Sequence, residues 1–177
     1  VAKANAAIFV REHSIIKGNP DAKVELVEFF DPACGTCAQF HPYVKEIMKK
    51  NEGKIKLVYR YAPFHRNSDY AVKMLIGAKK QGKFEEALEM MFDTQQYWVQ
   101  NHAANLDVLW KILHKTSLDM EKLSKDMMDP KLDLIVAQDL ADAKVLNATK
   151  TPSYYVNQKP LQQFGLQQLK DLINSEL

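Results

Sequence analysis

The sequence has two cysteines, Cys34 and Cys37, which stand three positions apart in the segment FFDPACGTCAQFHP (29–42). At the first turn of an α-helix, a thiolate is stabilised by the helix dipole and by backbone N–H groups that have no partner within the helix. We predict that Cys34 lies at such a helix start as the attacking sulfur, and that Cys37, one turn further on, is the more buried resolving sulfur. The N–H groups of Gly35, Thr36 and Cys37 then point at the first sulfur, and Gly35 lets the backbone approach it closely. Two sulfurs one turn apart are close enough to form a disulfide.

Three kinds of chemistry are open to this C-G-T-C motif, and its spacing favours reversible dithiol–disulfide exchange. A structural disulfide that closes so short a loop contributes only about 2 kcal/mol, so a structural bridge would be better placed between distant segments. A zinc site would need a second C-x-x-C motif or a spaced histidine pair, whereas His41 is alone one turn past Cys37. A stabilised thiolate is a good leaving group and favours the reduced form, so the disulfide form of the motif is expected to be an oxidant.

The cysteine motif lies at the junction of a predicted strand and a predicted helix. The segment VELVEFF (24–30) is apolar on both faces, as in a strand that is covered on both sides of a sheet. Helical spacing of apolar residues runs from Cys34 to about Lys50, with a kink expected at Pro42. The segment KIKLVYRYA (54–62) is predicted as a second strand, and a right-handed connection would make the two strands parallel.

The rest of the chain is predicted to be mostly helical. Five helices are expected between residues 67 and 148, with N-caps at Ser68, Asn105 and Asp119. A strand is predicted in PSYYV (152–156), followed by a turn in NQKP, a short return strand in LQQF (161–164) and a last amphipathic helix. Together with a possible edge strand in HSII (13–16), the main order is β, α, β, a block of helices, β, β, α.

The composition excludes several classes of protein. With 177 residues, 46% of them hydrophobic and 26% charged, the chain has the size and composition of one globular domain. No uncharged apolar run is long enough to predict a membrane-spanning helix. The net charge of +2 comes with scattered lysines, so nucleic acid is not an expected partner. The first ten residues show no secretory signal, and they are either a mature terminus left by cleavage or an arbitrary starting point.

The sequence resembles the DsbA-type branch of the thioredoxin superfamily, bacterial disulfide oxidoreductases with a helical domain inserted into a thioredoxin core. Four segments carry the resemblance almost from end to end: LVEFFDPACGTCAQF, YRYAPFH, GAKKQGKFEEALEMMF and TKTPSYYVNQKPL. The resemblance implies an α/β, thioredoxin-like fold with an inserted all-helical subdomain. The first part of the core would span 1–66, the helical insertion 67–148, and the second part of the core 149–177.

The same resemblance implies the roles of the site residues. Cys34 would be the nucleophile and Cys37 the resolving thiol. Thr151 and Pro152 would form a loop with a cis peptide bond that faces the disulfide, in which Thr151 keeps its backbone groups for an extended substrate segment. Glu28 falls where the type member of the family has a buried acid, and we expect it to exchange a proton with Cys37 unless an edge position leaves it solvated.

The residues between the cysteines depart from the family pattern. The type member has a proline and a histidine there, whereas this chain has Gly35 and Thr36, which we assign to the substrate-binding surface. A hydroxyl can donate a hydrogen bond to a thiolate but adds no positive charge, so we expect a less acidic Cys34 and a milder oxidant. His65 follows the second strand, where a solvated loop histidine is the more common case.

These features predict a periplasmic dithiol–disulfide oxidoreductase that acts on cysteine-containing, unfolded or partly folded proteins through a mixed disulfide with Cys34. Apart from the redox-active Cys34–Cys37 disulfide we expect no cofactor and no metal, and we expect a monomer. By analogy with the family, a quinone-linked membrane protein reoxidises it. Two alternatives stay open: a reductase or isomerase of the same superfamily, and a non-catalytic client-binding module.

Overall fold

The computed structural model describes residues 2–177. Residue 1, and with it the expectation about a mature terminus, lies outside the described residues. The helices are α1 (Ala2–Phe9), α2 (Gly35–Lys50), α3 (Ser68–Lys80), α4 (Phe84–Asp93), α5 (Gln95–Trp98), α6 (Leu106–Leu113), α7 (Met120–Asp126), α8 (Pro130–Val145) and α9 (Leu166–Glu176). The strands are β1 (Ile15–Gly18), β2 (Val24–Phe30), β3 (Ile55–Tyr61), β4 (Val99–Gln100), β5 (Ala103–Ala104), β6 (Ser153–Val156) and β7 (Lys159–Pro160). Among the helices described, none is both long and apolar enough to cross a membrane.

Five of the strands form one sheet, in the order β1-β3-β2-β6-β7. The middle strand is β2, and nearly all of its residues are buried, as its apolar sequence on both faces predicts. β1 pairs antiparallel with β3, with Ile15 opposite Tyr59. β2 pairs antiparallel with β6, which places Glu28 opposite Tyr154. The predicted order of the main elements, β, α, β, a block of helices, β, β, α, therefore holds apart from the differences described below, and α1 is an additional helix.

The last hairpin of the sheet differs from the prediction. The return strand is β7, and the predicted strand at 161–164 is wrong. Asn157 and Gln158 have positive φ angles of 48° and 69°, so they form a two-residue turn, and the return strand begins directly after it.

The helical block contains one helix more than predicted, because the second predicted helix divides at Thr94. The φ angle of Thr94 is −115°, and its hydroxyl donates to the Met90 carbonyl oxygen at 2.6 Å, which ends α4. The chain starts again as α5 at Gln95 and continues into an unpredicted hairpin of β4 and β5. The hairpin turns at Asn101 and His102, both of which have positive φ angles.

Two of the three predicted N-caps are confirmed. The side chains of Asn105 and Asp119 each accept the backbone N–H three residues further on, at 3.2 and 3.0 Å. The prediction for Ser68 is wrong, because the cap of α3 is Asn67 and Ser68 is the first helical residue. The Ser68 hydroxyl instead donates to the His65 carbonyl oxygen at 2.8 Å.

The described chain divides into two compact units. The sheet unit contains residues 2–30, 39–60 and 141–177. The helical unit contains residues 31–38 and 61–140, so it includes the cysteine motif together with α3 to α7. The predicted domain boundaries after residues 66 and 148 stay predictions.

The sheet unit buries an ion-pair network around Asp142. Arg60 on β3 is fully buried, and its guanidinium donates to Asp142 Oδ2 at 2.5 Å and to the Ile8 carbonyl oxygen at 2.7 Å. Arg11 donates two further hydrogen bonds to the same carboxylate, both of 2.8 Å. Burial alone would raise the pKa of Asp142, but the hydrogen bonds from Arg11 and Arg60 hold this pKa below its ordinary value. The carboxylate therefore stays charged and balances the buried guanidinium.

Substitution Asp142→Ala is expected to lower the free energy of unfolding by about 3–5 kcal/mol, because it removes the carboxylate that balances the buried Arg60 charge. Urea unfolding at neutral pH measures this loss. Because the pKa of Asp142 is lowered in the folded state, its contribution is present above the ordinary carboxyl pKa and is lost as the pH falls through the lowered value.

The control is Glu46→Gln, which removes an exposed pair with Lys50 and is expected to leave the free energy of unfolding close to that of the unaltered protein. Equal losses in the two variants would contradict the importance of the Asp142 network.

Candidate functional site

Cys34 and Cys37 lie at the start of α2, as predicted. Cys34 immediately precedes the first helical residue, and its carbonyl oxygen accepts the N–H of Ala38 at 3.2 Å. The backbone N–H of Cys37 donates to Cys34 Sγ, with a distance of 3.4 Å between the nitrogen and the sulfur. Cys34 is 7% exposed and Cys37 is 0% exposed. Cys34 is thus the slightly more exposed of two buried cysteines, and the hydrogen bond to its sulfur favours a negative charge there.

The two residues between the cysteines have different surroundings. Gly35 is exposed and Thr36 is half-buried. Apart from its two chain neighbours and the nearby backbone of its own helix, no atom of the described chain lies within 4 Å of the position that a Cβ would take at Gly35. Packing against the rest of the described chain therefore leaves room for a side chain at residue 35. The close approach of the Gly35 backbone to the Cys34 sulfur stays a prediction.

A buried carboxylate shapes the turn that leads into α2. Asp31 follows β2 directly and has no exposed surface. Its Oδ1 accepts the N–H of Ala33 at 2.9 Å, and its carbonyl oxygen accepts the N–H of Cys34 at 3.0 Å. These two bonds close residues 31–34 into a compact turn, which we call the cysteine turn.

The other carboxylate oxygen of Asp31 binds the segment that follows β3. Oδ2 accepts the backbone N–H groups of Phe64 and His65 at 2.8 and 2.9 Å, and the Ser68 hydroxyl lies 3.3 Å away. The ring nitrogen Nδ1 of His65 is also 2.8 Å from Oδ2. The prediction of a solvated loop histidine is therefore wrong, because the His65 side chain is only 20% exposed and contacts a buried carboxylate.

A second side chain reaches the cysteine turn from α5. The Nε2 atom of Gln95 donates to the carbonyl oxygens of Pro32 and Cys34 at 2.8 and 2.9 Å. The sequence-based prediction missed both Gln95 and Asp31. A polar residue between an apolar strand and a proline was an available signal for Asp31. Gln95 lies 61 positions from Cys34 along the chain, and no local pattern indicates such a contact.

Three other predicted site residues belong to the sheet unit. Glu28 is 2% exposed on β2, which has a neighbouring strand on each side, so the alternative of a solvated edge position is wrong. Thr151 and Pro152 directly precede β6, and the peptide bond between them is cis. Thr151 is half-buried and Pro152 is buried. The roles assigned to these three residues stay predictions.

Curated relatives resemble this chain over most of its length. The Na⁺/H⁺ antiporter NhaA of Herminiimonas arsenicoxydans is 28% identical over 146 residues, which are 82% of this chain and 22% of that protein. The Na⁺/H⁺ antiporter NhaA 1 of Mycobacterium sp. (strain KMS) is 28% identical over 158 residues, which are 84% of this chain and 24% of that protein. The chain thus spans about a quarter of the length of the curated relatives it matches.

Solved structures resemble the chain over almost its whole length. A thioredoxin-like oxidoreductase from Silicibacter pomeroyi DSS-3 is 29% identical, with a TM-score of 0.81, and the match covers 96% of this chain and 95% of that one. BdbD from Bacillus subtilis, in its oxidised form, is 24% identical with a TM-score of 0.81 and 94% coverage of both chains. The α-DsbA1 protein of Wolbachia pipientis is 19% identical with a TM-score of 0.82, covering 97% of this chain and 94% of that one.

The fold expected from the sequence resemblance is confirmed by these matches. It is a thioredoxin-like α/β fold that contains a block of helices, and its neighbours among solved structures include DsbA-like proteins. The family model Thioredoxin_4, described as thioredoxin, matches residues 11–175. The chain therefore belongs to this thioredoxin family.

Proposed function

We propose that this chain is a thiol–disulfide oxidoreductase whose reacting groups are Cys34 and Cys37. The observation that carries the proposal is the 3.4 Å hydrogen bond from the Cys37 N–H to Cys34 Sγ at the first turn of α2. This contact favours the thiolate of Cys34 over its thiol, and exchange chemistry needs a stabilised thiolate both as nucleophile and as leaving group. Similarity to a thioredoxin-like oxidoreductase over 96% of the chain supports the same activity.

The proposed reaction moves one disulfide and two electrons. A client thiolate attacks Sγ of Cys34 in the Cys34–Cys37 disulfide, the bond between the two sulfurs breaks, and Cys37 leaves as a thiolate that takes up a proton. A second client thiolate then attacks the client sulfur of the mixed disulfide, and Cys34 leaves as a thiolate. The client dithiol has been oxidised to a disulfide, and the protein disulfide has been reduced to a dithiol.

We assign supporting roles to residues of the sheet unit. Glu28 is proposed to exchange the proton of Cys37, because it is a carboxyl group that is 2% exposed on the strand leading toward the motif. Thr151 and Pro152 are proposed to bind an extended client segment, since proline carries no N–H and Thr151 keeps its backbone groups for pairing.

The direction and the compartment follow the DsbA-type resemblance. We propose an oxidant in the bacterial periplasm that acts on cysteine-containing, unfolded or partly folded proteins and is reoxidised by a quinone-linked membrane protein. Thr36 adds no positive charge beside the sulfur, so the oxidant should be milder than one with a histidine there. The curated relatives named as Na⁺/H⁺ antiporters match this chain over only about a quarter of their own length. Ion transport is therefore not part of the proposal.

Substitution Cys34→Ser should lower the rate of client oxidation by about a thousandfold or more, because neither the Cys34–Cys37 disulfide nor a mixed disulfide with the client can form. The reduced Cys37→Ser variant, mixed with the disulfide form of a client, should instead accumulate a mixed disulfide that mass spectrometry detects as a covalent adduct. The Cys34 thiolate attacks the client disulfide, one client sulfur leaves as a thiolate, and no Cys37 thiol remains to resolve the adduct. Oxidation of a peptide with two cysteines measures the rate. A client effect that survives in Cys34→Ser would contradict an enzyme and favour a binding module.

The reduced protein should melt at a higher temperature than the oxidised protein at neutral pH, because the stabilised thiolate exists only in the reduced form. We expect the pKa of Cys34 to be lowered in the folded reduced protein. The difference in melting temperature should therefore be full above the ordinary thiol pKa, persist in part at neutral pH, and disappear as the pH falls through the lowered value. A structural disulfide would give the reverse order of melting.

Substitution Thr36→His should make the protein more oxidising, because an imidazolium beside Cys34 stabilises the thiolate. We expect the equilibrium constant with glutathione to rise about tenfold, which corresponds to about 30 mV. Thr36→Ser keeps the hydroxyl and is the matched control. An unchanged equilibrium in Thr36→His would show that the residue does not act on the sulfur.

A further inference from the structure

The cysteine turn is held from two sides by side chains of the helical unit. On one side, the carboxylate of Asp31 accepts the N–H of Ala33 and binds the segment after β3. On the other side, Gln95 reaches the turn from α5. Gln95 contacts the reacting residue itself, since one of its two acceptors is the carbonyl oxygen of Cys34.

The geometry of the Gln95 contact uses the full donor capacity of one amide nitrogen. Nε2 carries two hydrogens, and it lies 2.8 Å from the Pro32 oxygen and 2.9 Å from the Cys34 oxygen. The Cys34 oxygen also accepts the N–H of Ala38 at 3.2 Å, so it has a donor for each of its two lone pairs. Two carbonyl groups of a four-residue turn are thereby fixed in direction by one side chain.

The Gln95 contact stabilises a thiolate at position 34 in two ways. The carbonyl oxygens of Pro32 and Cys34 carry partial negative charge in the turn that bears the sulfur, and the Gln95 hydrogens offset part of it. A turn of fixed shape also keeps the N–H of Cys37 aimed at Sγ before any charge develops, so no rearrangement is needed when the thiolate forms. Both effects favour the thiolate over the thiol.

The position of Gln95 depends on the break in the helical block. Had the second predicted helix continued through Thr94, Gln95 would be an interior residue of one long helix. Because α4 ends at Asp93 and α5 starts at Gln95, this side chain belongs to the first residue of a new helix and reaches the turn.

We propose that Gln95 is a positioning residue that sets the redox equilibrium of the Cys34–Cys37 pair. This inference rests on the proposed function and adds to it a contribution from outside the C-x-x-C motif. Gln95 acts on the sulfur through the backbone of the cysteine turn.

The test compares Gln95→Met and Gln95→Glu with the unaltered protein. Met keeps the approximate length of the side chain and removes both donors, whereas Glu places a carboxylate against two carbonyl oxygens. In Gln95→Met the equilibrium constant with glutathione should shift about tenfold toward a more reducing protein, which is about 30 mV, and the pKa of the Cys34 thiol should rise. Gln95→Glu should shift both quantities further in the same direction.

The matched control is Gln96→Met, the same chemical change at the adjacent exposed position. Its equilibrium constant should stay within about twofold of the unaltered protein. Thiolate absorbance against pH and the glutathione equilibrium are the deciding readouts, because a residue that only stabilises the fold would change the melting temperature of the oxidised form and leave them unchanged.

Two results would overturn the inference. One is an unaltered thiol titration and glutathione equilibrium in both Gln95 variants. The other is failure of both variants to fold, which would assign Gln95 to stability. Either result leaves the proposed function standing as long as client oxidation still requires Cys34, whereas turnover by Cys34→Ser would refute the proposed function itself.

Discussion

The burial of one carboxylate, that of Asp31, constrains the part of the chain on which the chemistry of Cys34 depends. A carboxylate without exposed surface must collect donors from its own surroundings, since an unpaired charge there would cost several kcal/mol, on the order of a lost buried ion pair. Asp31 takes these donors from the cysteine turn and from the segment after β3. The cysteine turn and the segment after β3 are therefore held in one arrangement by a single group. The direction of the Cys37 N–H, which donates to the Cys34 sulfur, depends on that arrangement.

Local patterns predicted the elements that are defined by their own sequence. β2 is apolar on both faces and is the covered middle strand, and α2 begins directly after Cys34 because the apolar spacing and the strand end leave little choice. The predictions that are wrong also have local causes. Helical periodicity runs through Thr94, so it does not reveal that a hydroxyl bond to the preceding turn ends the helix there. The turn at Asn157 and Gln158 lacks the glycine that usually marks a hairpin.

The chemistry of the site was partly predictable for a different reason. Two cysteines three positions apart form a recognisable motif, and helix geometry alone predicts which of them is the more exposed. The groups that hold the cysteine turn have no comparable sequence motif. The donors to Asp31 are mostly backbone N–H groups, which any residue type would supply, and Gln95 is one glutamine among several in the chain. Such contacts depend on tertiary packing, and they cannot be predicted from a single sequence.

Gly35 occupies an uncrowded position at the start of α2. Apart from its two chain neighbours and the backbone of its own helix, no atom of the described chain lies within 4 Å of the position that a Cβ would take there, so a side chain would not force distant residues to repack. Substitutions in a packed core usually lower stability, and selection removes most of them before they can alter function. Residue 35 of the proposed exchange motif meets no such packing penalty from other parts of the described chain, so it can be replaced at little cost to the stability of the fold.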